Sequence, residues 1–153
     1  MRFEETREIP VSVKRMWDYH NDFNTWPLWY AGCTEIIDPE TAAWAKVGDT
    51  VRVAYKVLGR RLEFPCIIEE YEEYKLVRFL CDMPNPIPRA HQTWRYTDLG
   101  DDRMILDVVM EGEESTNWFG KIIDKMALPR IYQRDLKDSL DNLANIAAVD
   151  LTE

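Results

Sequence analysis

A chain of 153 residues with 46% hydrophobic and 12% aromatic side chains has the length of one domain and the apolar content for a sizeable core. Its formal charge of −9 argues against nucleic acid or an anionic membrane as the main partner, because both select clustered lysine and arginine. The acid concentrates at turns and strand ends (Glu69, Glu70, Glu72, Glu73, Asp101, Asp102, Glu111, Glu113, Glu114), which reads as a solvated rim.

The N-terminus is charged (Arg2, Glu4, Glu5), and no stretch approaches the length of a stable membrane insertion. Cys33, Cys66 and Cys81 have no CxxC spacing and predict buried, reduced thiols in a cytoplasmic protein.

In chain order, Arg2 to Ile9 predicts a strand that Pro10 ends. Ser12 can cap a short helix through about His20, with Val13, Met16 and Trp17 as its buried face. Asn21 to Asn24 break that helix, and Thr25-Trp26-Pro27 starts a second helical turn. Cys33 to Asp38 is a strand, followed by a loop from Pro39 to Val47. Period-two alternation then gives strands over Thr50–Leu58, Arg61–Glu70, Tyr74–Cys81, Ala90–Thr97 and Arg103–Gly112. Gly59-Arg60 fits a two-residue hairpin, and Leu99-Gly100-Asp101 marks another. Pro84, Pro86 and Pro88 make Met83 to Pro88 a rigid loop rather than a central strand.

The inward faces read as Val51, Val53, Tyr55 and Val57; Leu62, Phe64, Cys66 and Ile68; Val77, Phe79 and Cys81; and Met104, Leu106, Val108 and Met110. Pairing Tyr96 with Met104 puts Trp94 and Tyr96 inside as well. A one-residue slip would put His91, Thr93 and Arg95 there instead. A long helix is predicted from about Asn117 to Ala148, with Phe119, Ile122, Met126, Ile131, Leu136, Leu140, Leu143 and Ala147 as its apolar stripe. Pro129 predicts a kink in it, with a break and a new helix as the alternative. Such a helix must bury its stripe on the concave face of the sheet. The fold class is therefore α+β: a curved antiparallel sheet of about seven strands wrapped around a long C-terminal helix, with two short helices after the first strand, forming one domain over residues 1–153.

This order, together with Trp17, Asp22 and Trp26-Pro27 followed by Trp29, resembles the START-like (SRPBCC, helix-grip) superfamily, and within it the polyketide cyclase/dehydrase-like family. The segment from Arg134 to Leu143 is similar to that family's helix ending. The resemblance covers nearly the whole chain and implies a pocket between sheet and helix, in a fold that hosts many functions. Cyclases of the family use an arginine and a tyrosine in the cavity. Aligned here, those positions fall near Ile68 and Cys33, so the pair is missing, while Trp94 falls where the group has a pocket tryptophan.

No metal-ligand spacing, nucleophile elbow or phosphate loop is present, so neither a metal nor a cofactor is implied. His20 ends the first helix, where a cation suits the dipole, and reads as structural. Candidate ligand contacts are Trp26 and Trp29 at the expected mouth, with Tyr30, Cys33, Tyr55, Phe64, Phe79, Trp94, Leu106, Val108, Phe119, Ile122 and Met126 around the pocket. Trp17, Trp118 and Tyr132 read as core or surface-reaching groups, and Trp44 as a loop residue covering apolar surface.

The reading is a monomer or homodimer that binds a small hydrophobic molecule (a lipid, polyketide-like or aromatic metabolite) rather than an enzyme. The helix near Pro129 and the loop Pro84–Pro88 are the segments that would gate the pocket. The alternatives are a cyclase or dehydratase with Tyr30, Tyr55 or His91 as proton donor, and a protein-interaction module.

Overall fold

Alternation of apolar and polar residues produces strands wherever one face is buried, and seven form here. They are β1 (Arg2–Ile9), β2 (Cys33–Ile37), β3 (Thr50–Val57), β4 (Arg60–Glu72), β5 (Leu76–Cys81), β6 (Ala90–Gly100) and β7 (Arg103–Gly112). The helices are α1 (Val13–His20), α2 (Trp26–Trp29) and α3 (Leu128–Val149), with a 3-10 turn at Phe23–Thr25 before α2. The computed structural model describes residues 1–114 and 128–151. The predicted helical stretch from Asn117 to Met126, with Trp118, Phe119, Ile122 and Met126, lies outside the described residues, and so does the expected kink. Pro129 sits at the start of the described helix.

The strands form one curled antiparallel sheet in the order β1-β7-β6-β5-β4-β3-β2. This is the helix-grip arrangement: the sheet's concave face holds Val51, Val53, Phe64, Ile68, Val77, Met104 and Leu106, all at most 1% exposed. Leu140 and Leu143 of α3 are fully buried against that core. An ion pair between Arg7 of β1 and Asp141 holds α3 at the sheet edge.

Ser12 caps α1 by accepting from Arg15 N–H at 3.3 Å. α1 then buries Trp17 edge-on against Tyr71, Tyr74 and Tyr96.

The structure corrects the sequence reading of two turns, one register, the start of β5 and the stripe of α3. The β3–β4 turn is Leu58-Gly59 rather than Gly59-Arg60, since Val57 pairs with Arg60 and both turn residues have positive φ (51° and 75°). The β6–β7 turn is Asp101-Asp102, closed by the Gly100–Arg103 pair. Tyr96 pairs with Leu106 rather than Met104, because the turn lies farther along the chain at Asp101-Asp102 and the one-residue irregularity at Asp98–Gly100 only partly offsets that; the net shift is even and keeps Trp94 and Tyr96 inside. β5 starts at Leu76 rather than Tyr74, which sits at φ 64° in the preceding turn.

On α3, Ile131 is only half-buried. The inward stripe is Tyr132, Asp135, Leu136, Ser139, Leu140, Leu143 and Ala147, rotated to include two polar residues.

Candidate functional site

Tyr132, Asp135, Leu136 and Ser139 stand at i, i+3, i+4 and i+7, so one side of α3 presents all four to the sheet. Opposite them stand Tyr55 of β3, Gln92 and Trp94 of β6 and Met110 of β7. Tyr30 at the end of α2 and Met83 after β5 close the ends. These ten residues line a cavity of about 10 Å³, room for about one water molecule.

Two hydrogen-bonded groups converge there. Trp94 Nε1 donates to Gln92 Oε1 at 2.9 Å, and Gln92 Nε2 donates to the Tyr30 hydroxyl at 2.7 Å. From the other wall, the Tyr55 hydroxyl donates to Asp135 Oδ2 at 2.7 Å. The Tyr30 and Tyr55 rings meet edge to face at 5.8 Å, so the two groups adjoin where the walls meet.

Ser139 fixes the helix below. Its hydroxyl donates to the Asp135 carbonyl at 2.7 Å and accepts from Ala31 N–H at 2.9 Å. Gly32 allows the close approach of Tyr55: at φ 93°, a Cβ there would overlap the Tyr55 ring. The Tyr132 hydroxyl points to Met83 Sδ at 3.0 Å, joining α3 to the segment that opens the proline loop.

Burial sets the protonation. It raises the Asp135 carboxyl above the usual carboxylate range, against the Tyr55 hydrogen bond and nearby Arg134, which lower it. Burial first, and then the Asp135 charge, push the Tyr55 phenol well above 10. Tyr30 is raised in the same direction, mainly by burial. Both phenols are therefore neutral donors, and Asp135 is a carboxyl group that keeps its proton more readily than an exposed aspartate does. The set can orient a hydroxyl or carbonyl, and Asp135 with Tyr55 can move a proton.

Of the sequence candidates, Tyr30, Tyr55 and Trp94 line this cavity. Trp26 and Trp29 are 3% and 2% exposed and lie behind its wall, not at an open mouth: Trp26 packs edge-on against Trp44, and Trp29 stacks on Tyr30 at 5.5 Å. Cys33 pairs in register with Tyr55, and burial lifts its thiol to about 12. Phe64 packs beside Tyr55. Phe79 packs on Trp26 and Trp44, and Leu106 and Val108 sit opposite Tyr96 and Trp94 in the core. The positions near Cys33 and Ile68 hold a buried thiol and a buried aliphatic chain.

His91 is on the outer face, opposite Glu111, and not in the cavity. Its Nδ1 meets Glu69 at 2.5 Å and its Nε2 meets Glu113 at 2.9 Å. Although burial lowers its pKa, the hydrogen bonds to the two carboxylates win and raise it.

His20 is structural but not a cation serving the helix dipole. It is 3% exposed, packs at a tilt against Trp94 and Trp29, bonds Tyr96 through Nδ1, and burial lowers its pKa to about 3. Trp44 is buried and donates to Asn21 Oδ1 at 3.2 Å.

Sequence reasoning missed Gln92, Tyr132, Asp135 and Ser139. Gln92 is in phase with Trp94 and Tyr96, and Asp135 and Ser139 flank Leu136 and Leu140 on the helical stripe. A polar residue at a buried phase was the available signal. Among the described residues, no His, Cys, Asp and Glu group is arranged to hold a metal, and no helix is long and apolar enough to cross a membrane.

The family model described as "Polyketide cyclase / dehydrase and lipid transport" matches residues 1–148. No curated protein matches the chain. Among solved structures, the chain resembles the Zhui aromatase/cyclase from a Streptomyces species at TM-score 0.82 and 13% identity, covering 99% of this chain and 96% of that one. A START superfamily protein from Mycobacterium smegmatis matches at TM-score 0.69 and 16% identity over 94% and 97% of the two chains. The di-domain ARO/CYC StfQ of the steffimycin biosynthetic pathway matches at TM-score 0.68 and 12% identity over 95% of this chain and 44% of that one. At such identities the likeness is one of fold.

Proposed function

The chain belongs to the polyketide cyclase/dehydrase and lipid transport family, and on that premise we propose that it binds a small hydrophobic ligand, aromatic or polyketide-like, between the sheet and α3. The observation that carries this reading is the polar set of buried Gln92, Tyr55 and Asp135 with half-buried Tyr30 around an aromatic-lined cavity. A core built only for stability has no use for a buried carboxyl group, whose desolvation opposes folding. A ligand with a hydroxyl or carbonyl would find a donor or acceptor on each wall.

Enclosing a few hundred Å² of apolar ligand at about 25 cal/mol per Å² supplies several kcal/mol before ordering costs. A cavity of one-water size must widen to take such a molecule. The contact between Tyr132 and Met83 ties α3 to the loop 82–89, and these are the parts that would separate.

Native mass spectrometry of the freshly purified protein, with solvent extraction, tests the reading. A stoichiometric apolar molecule is expected. No uptake of any aromatic or lipid probe, read by tryptophan fluorescence, would overturn it.

A second reading rests on Asp135 and Tyr55 as a proton-transfer pair: a cyclase or dehydratase in which Asp135 takes the proton and Tyr55 holds a carbonyl oxygen. It predicts turnover of a polyketide-like substrate with a pH–rate profile that moves in Asp135→Asn. A profile that does not move with that substitution removes it.

A further inference from the structure

Cys66 of β4 and Cys81 of β5 face each other in register and are each fully buried. The next rung of the ladder is hydrogen-bonded, Asp82 N–H to the Pro65 carbonyl at 3.0 Å. Rungs alternate in antiparallel sheets, so the cysteines occupy a non-hydrogen-bonded rung, where side chains approach most closely and Cα atoms stand about 4.5 Å apart. A disulfide spans that separation without moving either strand.

The pair is also one side chain away from the cavity. Gln92 Nε2 lies 3.9 Å from Cys81 Sγ and donates to Tyr30 on its other side. We propose that Cys66 and Cys81 are a peroxide-sensitive dithiol, oxidised to a cross-strand disulfide by hydrogen peroxide that reaches Cys81 through the cavity past Gln92.

The neighbouring Cys81 sulfur, and then burial, hold the Cys66 thiol well above its ordinary range, and Cys81 is the sulfur beside Gln92 and the cavity, so the oxidant meets it first. Thiolate Sγ of Cys81 attacks one peroxide oxygen. The O–O bond breaks, and the leaving hydroxide takes up a proton as water. The sulfenic acid on Cys81 is then displaced by the Cys66 sulfur. The S–O bond breaks, the Sγ–Sγ bond forms, and the Cys66 proton leaves with the hydroxyl as a second water. Two thiols lose two electrons and two protons, and one peroxide becomes two waters. A hydroperoxide little larger than water suits a cavity of one-water size, whereas a bulky disulfide oxidant does not. Closing the bond draws Cys81 Sγ toward Cys66 and away from Gln92, so oxidation alters the wall shared with Tyr30 and Trp94.

The test is independent of what ligand the cavity takes. The protein is exposed to hydrogen peroxide, denatured in an alkylating agent and digested without reduction. The expected product is a Cys66–Cys81 linked peptide, lighter by two hydrogens and reversed by dithiothreitol, with Cys33 still alkylated. Gln92→Ala should speed the reaction several-fold. Cys66→Ala should stop at a sulfenic acid on Cys81 that dimedone captures. The wild-type map stands even if that variant fails to fold. Cys66 and Cys81 both fully alkylated after an exposure that oxidises methionine, or each oxidised without linkage, would overturn the proposal.

Discussion

The Tyr55 hydroxyl on β3 donates to Asp135 on α3 at 2.7 Å, joining sheet to helix across 80 residues of chain. The two ends of this bond respond oppositely to substitution. Tyr55→Phe leaves Asp135 Oδ2 without its donor, with only the longer Arg134 contact at 3.4 Å on Oδ1, and should destabilise by roughly 1–3 kcal/mol. Asp135→Asn keeps an acceptor for Tyr55 and removes the charge. Because the folded-state pKa of Asp135 is raised, its proton stabilises the fold at low pH and that stability is lost as pH rises through the folded value. The amide should therefore be neutral or stabilising at pH 7. Urea denaturation of both variants decides it, and equal destabilisation by both would contradict the burial argument.

His20 gives an acid dependence of the other sign. Its folded pKa is about 3 against an ordinary 6.5, so its contribution is complete above 6.5 and falls away as pH drops toward 3. Full titration amounts to something on the order of 4 kcal/mol. His20→Phe, which keeps an aromatic ring against Trp94 and Trp29, should flatten the stability profile across this window. His91 acts in the reverse sense: its raised pKa makes its contribution complete below 6.5 and lost as pH rises through the folded value. The difference between wild type and His20→Phe, taken at each pH, isolates the buried imidazole, and parallel profiles would rule it out as the source.

Gly32 tests whether the cavity wall depends on one close approach. A methyl at this position meets the Tyr55 ring, and its φ of 93° is unfavourable for any side chain. Gly32→Ala should cost roughly 2–4 kcal/mol, with the phenol driven from Asp135. Loss of the Tyr55–Asp135 bond should then make the added cost of Tyr55→Phe in that background small, a coupling that a double-mutant cycle measures. Additive costs would show that the two residues act separately.

Strand parity was legible because period-two alternation is a local property: every apolar residue placed inside on β3, β5 and β7 is buried, and Trp94 and Tyr96 stayed inside even though their pairing moved by two. Turn residues were less legible, since Gly59 drew attention to itself while Leu58, equally left-handed, carries no such mark. The site was only partly visible. Tyr30, Tyr55 and Trp94 announced themselves as aromatics at inward phases, but Gln92 and Asp135 were passed over because polar residues are ordinarily assigned outward. Trp26 and Trp29 looked like a mouth in sequence because nothing local reveals that Trp44 packs on Trp26 and that Trp29 lies between His20, Tyr30 and Trp94.

Leu58 offers a stabilising substitution by the same logic. It is 65% exposed, at φ 51°, and occupies the first position of a two-residue turn whose second is Gly59 at φ 75°. A γ-branched side chain gains no burial there and carries the strain of the left-handed region, whereas asparagine tolerates it and forms the favoured Asn-Gly hairpin turn. Leu58→Asn should add about 0.5–1 kcal/mol, seen as a rise in melting temperature of roughly 1–4 °C for a chain of this length. Leu58→Ala removes the exposed side chain without relieving the backbone and should change little. If the two variants melt together, the gain does not come from the turn.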